Sequence, residues 1–253
     1  MMVKLKSMPI SSPLYEFNEN DKFLYPDAEF LMVSYTVDNE QVKDIVPDPL
    51  MISKSPMIIC FIAHYKNSFL KSSPGTTTSW SSYNEAATLI EVKLKTGKTK
   101  VKGFYCNSIY VTTDVAMAAG REIYGFPKKI ADINLFEENG KKIGTVKRNG
   151  IEILKIEVEP MKDLDELPSG SILKAITFKH IINSDCNKIE LSELIETDLT
   201  FDPKIIKIGN ASIKFKESKW DLIYQMKPKD NVMGIYTISD GVLPPGTIIY
   251  KYI

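Results

Sequence analysis

Two Asn-Gly pairs, Asn139-Gly140 and Asn149-Gly150, each stand between runs in which apolar and polar residues alternate. Asn-Gly suits a two-residue hairpin turn, because both central positions need positive φ and few other residues tolerate it. The pairs therefore predict a three-stranded antiparallel meander over 133–138, 141–148 and 151–159. Within the third strand the inward parity changes, as Ile151 and Ile153 give way to Leu154, Ile156 and Val158. A change of parity without a turn predicts a bulge, one extra residue that re-aims the strand.

The same period of two recurs along the chain. Ile90, Val92 and Leu94 alternate with Glu91, Lys93 and Lys95, the pattern of a half-buried strand. Residues 31–37, 58–64 and 104–112 are further strand candidates, rich in β-branched and aromatic side chains. In the second half, 171–182, 187–195, 204–215, 232–239 and 247–253 read the same way. Two short helices are predicted. One has Asp38 as N-cap and ends before Pro47; the other runs from about Thr113 to Tyr124 and stops at Gly125. The Ser-, Thr-, Pro- and Gly-rich segment 68–84 reads as a long loop. No linker divides the chain. The expectation is an α+β, β-rich fold: a single domain, residues 1–253, around an antiparallel β-barrel-like core with a few short helices.

Composition narrows the function. Lys plus Arg and Asp plus Glu both number 32 in 253 residues, so no cationic surplus favours nucleic acid. The lysine-rich run at 95–103 has no stacking aromatic inside it and reads as a solvated turn. The longest apolar run, Met57 to Ala63, is far short of the ~20 residues that span a membrane. The N-terminal residues lack the apolar stretch of a signal peptide, which leads to a cytoplasmic expectation. Cys60, Cys106 and Cys186 form no CxxC pair, and His64 and His180 are isolated, so no metal site and no cofactor is expected. Only Arg121 and Arg148 are arginine, so bidentate clamps for carboxylate or phosphate are scarce.

The most informative stretch is GREIYGFPKKI, Gly120 to Ile130. Gly125 ends the helix, and Pro127 holds Phe126 extended. Two adjacent lysines, Lys128 and Lys129, follow, before the apolar Ile130 and Ala131. A lysine pair past a helix end is ordinarily solvated. Here a rigid entry and an apolar exit suit the start of a core strand, where a lysine can face an interior. In such a strand successive side chains point to opposite faces, so Lys129 would point away from Lys128.

This segment resembles the active-site motif of the acetoacetate decarboxylase family, with GRE at 120–122 and GFPKK at 125–129. The resemblance extends to VPDPL at 46–50, SYNEAA at 82–87 and LPPGTIIYKYI at 243–253. It implies a β-barrel-centred α+β domain, assembled as a homo-oligomer, that acts on a small β-keto acid with no cofactor, membrane or nucleic-acid partner. It also implies that Lys128 forms a Schiff base, that Lys129 is its electrostatic neighbour, and that Glu85 orients substrate or handles protons. Phe126 takes the aromatic slot before the proline and would line an apolar pocket. Arg121 and Glu122 read as structural, since a cation suits a helix C-terminal turn.

The chemistry is that of a neutral amine. A free lysine titrates near 10.4, so burial or a neighbouring cation must favour the uncharged form, an activation for which this family is itself the usual example. An iminium then withdraws electrons from the bond to the carboxylate, and CO₂ leaves. Two departures stand out. The family's arginine in the N-terminal third corresponds to Ala28, and a strand glutamate corresponds to the Cys60-Phe61 region. They leave open an aldolase or dehydratase acting on a keto acid through the same lysine. A barrel that binds a small apolar ligand without turnover is the non-enzymatic alternative.

Overall fold

The computed structural model describes residues 5–72, 76–167, 172–229 and 232–253. Its strands are β1 (Leu5–Lys6), β2 (Glu16–Phe17), β3 (Lys22–Thr36), β4 (Met57–Tyr65), β5 (Phe69–Ser72), β6 (Thr76–Ser79), β7 (Tyr83–Thr96) and β8 (Thr99–Val111). The helix α1 (Asp114–Glu122) follows. Then come β9 (Lys128–Ile130), β10 (Asp132–Glu138), β11 (Lys141–Arg148), β12 (Ile151–Asp163), β13 (Ile172–Ile182), β14 (Ile189–Phe215), β15 (Met233–Leu243) and β16 (Thr247–Lys251). Two 3₁₀ turns, Asn39–Gln41 and Leu222–Gln225, complete the described elements.

Strand pairing closes a ring: β3 pairs with β4, β4 with β7, β7 with β8, β8 with β13, β13 with β14, β14 with β15, and β15 returns to β3. Every join is antiparallel except β8–β13. This is the expected β-rich fold with few helices. The meander β10–β12 attaches to the ring through β12 and the end of β14.

Alternation on the ring strands separates two cores. On β3, β4 and β7 one face carries Leu31, Val33, Ile58, Ile62 and Ile90, which pack with Ile133, Val146, Leu154 and Ile156 of the meander. The opposite face carries Phe30, Phe61, Ala87 and Leu89, which point into the ring. Each fully buried aliphatic side chain contributes roughly 1.5–3 kcal/mol relative to exposure. A one-residue slip would exchange the two faces, so both cores fix the register.

The turn chemistry is as the sequence indicates. Asn139 and Gly140 have φ of 51° and 74°, and Asn149 and Gly150 have 50° and 80°. The bulge is also present: Val146 pairs with Leu154 and Lys147 with Glu152, which leaves Ile153 as the extra residue. Ile153 and Leu154 are consequently both buried.

Three expectations are corrected. The segment expected as a loop over 68–84 contains the hairpin β5–β6, and β7 begins at Tyr83; residues 73–75 lie outside the described residues. Threonine and serine pair well enough across this short ladder to override a composition that suggests a loop. The helix expected from Asp38 towards Pro47 is only a 3₁₀ turn, Asn39–Gln41, followed by irregular turns. The strands read separately at 187–195 and 204–215 are one 27-residue strand, β14. Pro203 does not break it, because the register shifts there and the bulge absorbs the missing donor.

Candidate active site

Lys128 is positioned by a short crossover. β8 leads into α1, and the chain returns as β9, parallel to β8, with Ile109 beside Lys128 and Tyr110 beside Lys129. Gly125 adopts φ +70°, which reverses the chain after the helix. The backbone N–H of Phe126 donates to the Gly120 carbonyl at 3.0 Å, and that of Lys128 donates to the Phe126 carbonyl at 2.7 Å. Arg121 Nη1 donates to the Lys128 carbonyl at 3.3 Å, and Glu122 accepts from the Tyr15 hydroxyl at 2.7 Å. Arg121 thus braces the Lys128 backbone, while Glu122 ties the end of the helix to Tyr15.

Gly120 has a different task. A Cβ built there would lie 2.5 Å from both Cδ and Cε of Lys128. The lysine stem therefore runs across bare helix backbone, through space that a methyl group would fill.

The two lysines part company. Lys128 is 7% exposed and enters the ring, where its Nζ donates to Glu85 Oε2 at 2.8 Å. Lys129 leaves on the other face. Its Nζ donates to Asp221 Oδ1 at 2.9 Å and to the Trp220 carbonyl at 2.7 Å. Asp221 is buried and also accepts from the Tyr110 hydroxyl at 3.1 Å, with Arg148 Nε 3.3 Å from its second oxygen. The Lys129 charge is thus committed to a carboxylate outside the ring.

Glu85 is also 7% exposed, inside β7 rather than on a loop. It shares inward parity with Ala87 and Leu89. Its Oε1 accepts from the Tyr65 hydroxyl at 3.2 Å. A buried pair of opposite charges needs such further hydrogen bonds to offset lost hydration. The Lys128 Nζ lies 5.7 Å from the ring centroids of both Tyr83 and Phe126, so aromatic faces cover the flanks of the pair.

A cavity of about 90 Å³ opens beside the pair, inside the ring of strands. Its apolar wall includes Phe30, Phe61, Leu89, Ile109, Leu199 and Phe201, with Phe126 at the Lys128 end. Its polar wall, beyond Lys128 and Glu85, is made of Tyr25, Tyr65, Tyr83, Thr237 and Ser239. Tyr25, Tyr65 and Tyr83 pack together, with centroids 4.6 Å and 4.8 Å from Tyr65 to its two neighbours. Burial first, and then the nearby Glu85 carboxylate, push the Tyr65 phenol well above its ordinary value. The Tyr83 phenol is raised in the same direction, chiefly by burial.

The site therefore brings together Lys128, Glu85 and Phe126 and separates Lys129 from them. Ala28 is fully buried on β3 opposite Ser239, Cys60 faces the meander core, and Phe61 lines the cavity. The sequence reading missed the tyrosines and Asp221. Tyr83 carried a usable signal, since it stands two residues before Glu85 within the SYNEAA segment. Asp221 carried none, because it precedes a 3₁₀ turn in an irregular segment. Among the described residues, no group of three or more His, Cys, Asp and Glu side chains is arranged to hold a metal ion.

Comparison with known proteins identifies the family. The family model described as acetoacetate decarboxylase (ADC) matches residues 7–253. An acetoacetate decarboxylase of Burkholderia ambifaria is 29% identical over 99% of this chain and 96% of its own. Acetoacetate decarboxylase 2 of Mesorhizobium japonicum is 24% identical over 98% of this chain and 89% of its own. Among solved structures, acetoacetate decarboxylase from Legionella pneumophila superposes with a TM-score of 0.82 at 23% identity, covering 97% of this chain and 94% of that one. The enduracididine biosynthesis enzyme MppR superposes with a TM-score of 0.76 at 16% identity, covering 98% and 95%. With a family match that runs from the seventh residue to the last, this chain belongs to the acetoacetate decarboxylase family of carboxy-lyases.

Proposed function

We propose that the protein decarboxylates acetoacetate or a related β-keto acid through an imine on Lys128. The observation that carries this reading is the Lys128 amine, buried at the wall of a cavity and 2.8 Å from a carboxylate that can take its proton. Moving that proton to Glu85 leaves a neutral amine and a neutral acid, so no net charge is created in the dry interior. The amine adds to the ketone carbon. The resulting carbinolamine loses water, with Glu85 returning its proton to the departing hydroxyl, and an iminium forms. Electrons of the bond to the carboxylate flow into the iminium, releasing CO₂ and leaving an enamine. The enamine carbon takes up a proton, water adds to the iminium, and the ketone departs. The net change consumes one proton and converts the keto acid anion to ketone and CO₂.

Within this reading Glu85 is the proton carrier, Phe126 a wall of the substrate pocket, and Lys129 a residue that anchors β9. The whole chain, 1–253, acts as one domain.

A second reading, aldol condensation or dehydration through the same lysine, draws on two observations. Among the described residues, no arginine lines the cavity to hold a carboxylate in place. The fold neighbour MppR has been captured with the condensation product of pyruvate and imidazole 4-carboxaldehyde. Incubation with acetoacetate separates the two. Release of CO₂ and acetone in equal amounts supports decarboxylation; turnover only of pyruvate with an aldehyde supports the second reading.

A further inference from the structure

The Lys128–Glu85 pair is neutral as a unit, and among the described residues no other lysine, arginine or histidine lines the cavity. A carboxylate entering it accepts hydrogen bonds and cannot donate them. What the cavity offers besides the lysine is hydroxyl groups, and their hydrogens can be counted. Tyr83 and Tyr25 share one hydrogen bond at 3.4 Å, and Thr237 and Ser239 share one at 3.1 Å. Each pair has two hydroxyl hydrogens and spends one. Among the described residues, the second hydrogen of each pair has no protein acceptor. All four side chains are at least nine-tenths buried, so these are unspent donors at a cavity wall. Tyr65 is different, since its hydrogen goes to Glu85.

The two pairs are neighbours in the fold. Tyr25 lies on β3 and Thr237 and Ser239 lie on β15, strands joined in register with Gly241 opposite Tyr25 and Ser239 opposite Ala28. A Cβ at Gly241 would lie 3.5 Å from the Cβ of Tyr25, so the two strands approach closely beside that tyrosine.

Resting on the proposed function, we propose that the Tyr25–Tyr83 and Thr237–Ser239 hydroxyls form an uncharged subsite for the carboxylate of the keto acid whose carbonyl carbon meets Lys128. Burial holds the Tyr25 phenol well above its ordinary value, so it remains a donor throughout the neutral range. A hydroxyl donor grips a carboxylate through a short charge-assisted bond but adds no positive charge. Such a subsite positions the anion without the extra stabilisation of an ion pair, and less ground-state binding is forfeited as the charge moves off the carboxylate.

The test uses two double variants, Tyr25→Phe with Tyr83→Phe, and Thr237→Val with Ser239→Ala. Removing both partners of a hydrogen bond for groups of similar shape is close to neutral for folding. Each variant is expected to raise KM for acetoacetate about 10- to 100-fold, the usual effect of one hydrogen bond to a charged group. Borohydride trapping of the imine with acetone, which has no carboxylate, should stay within about twofold of wild type, a factor worth under 0.5 kcal/mol. An unchanged KM in both variants overturns the subsite. So does an equal loss with acetone and acetoacetate, which marks the hydroxyls as structural. A wild-type protein that traps neither compound overturns the proposed function itself, and the subsite with it.

Discussion

Replacing Gly120 with alanine should disable the protein without unfolding it. The added methyl would lie 2.5 Å from Cδ and Cε of Lys128 and 3.2 Å from Cγ. Carbon atoms rest at roughly 3.5–4.0 Å, so the lysine stem must retreat by about 1 Å. The stem is flexible, and the helix itself gains about 1 kcal/mol when alanine replaces glycine. Folding stability should therefore change by less than about 1 kcal/mol in either direction. The amine, however, leaves the position in which it donates to Glu85 at 2.8 Å. A misplacement of about 1 Å at a reacting atom costs on the order of 100-fold in rate. Steady-state kinetics with acetoacetate, beside urea unfolding of both proteins, reads the two effects separately. A variant with wild-type kcat/KM would refute the claim that Gly120 exists to seat the lysine. A variant that loses several kcal/mol of stability would show that the stem cannot yield, and the reasoning on flexibility would fail.

Other consequences follow from the same geometry. Lys128→Met alone leaves Glu85 buried without its partner and should cost about 3–5 kcal/mol; adding Glu85→Gln should recover most of it, and a Lys128→Met protein as stable as wild type in urea would contradict a buried pair. Lys129→Met should retain the wild-type yield of borohydride-trapped imine while lowering stability by about 1–3 kcal/mol, because it strips one donor from buried Asp221; loss of the imine would mean that Lys129 acts in the cavity. Alkaline stability should fall steeply. The buried phenols of Tyr25, Tyr65 and Tyr83 titrate above their ordinary 10.0, mainly because of burial. Their folded values exceed the unfolded ones, so the stabilisation is complete below pH 10 and is lost as pH rises above it. Each such phenol removes about 1.4 kcal/mol per pH unit in that window. Ionisation of these three phenols well before unfolding, read as the phenolate absorbance lost when all three are replaced by phenylalanine, would contradict their burial.

Much of this fold was legible because its signals are local. The Asn-Gly turns and the parity change at Ile153-Leu154 are backbone requirements written in a few residues, and both appear where expected. Lys128 and Lys129 diverge for an equally local reason, the alternation of a strand. What stayed hidden depends on distant partners. The hairpin within 68–84 draws on pairing that its composition does not announce. Residues 187–195 and 204–215 read as separate strands, yet a bulge carries β14 past Pro203. Tyr25, Tyr65 and Tyr83 meet only because β3, β4 and β7 are adjacent in the ring, and Asp221 finds Lys129 across 92 positions of sequence. Glu85 fell between the two cases: the family motif pointed to it, but its place in β7 and its partner were supplied by the fold.

The central claim is that the amine of Lys128 becomes covalently joined to the carbonyl carbon of the substrate. Incubation with acetoacetate and sodium borohydride, followed by proteolysis and mass spectrometry, measures this directly. The account expects one reduced adduct, with the mass of an isopropyl group, on the peptide that contains Lys128 and absent from a Lys128→Met control. An adduct on Lys129 or another lysine, or turnover to acetone and CO₂ with no adduct, would contradict it.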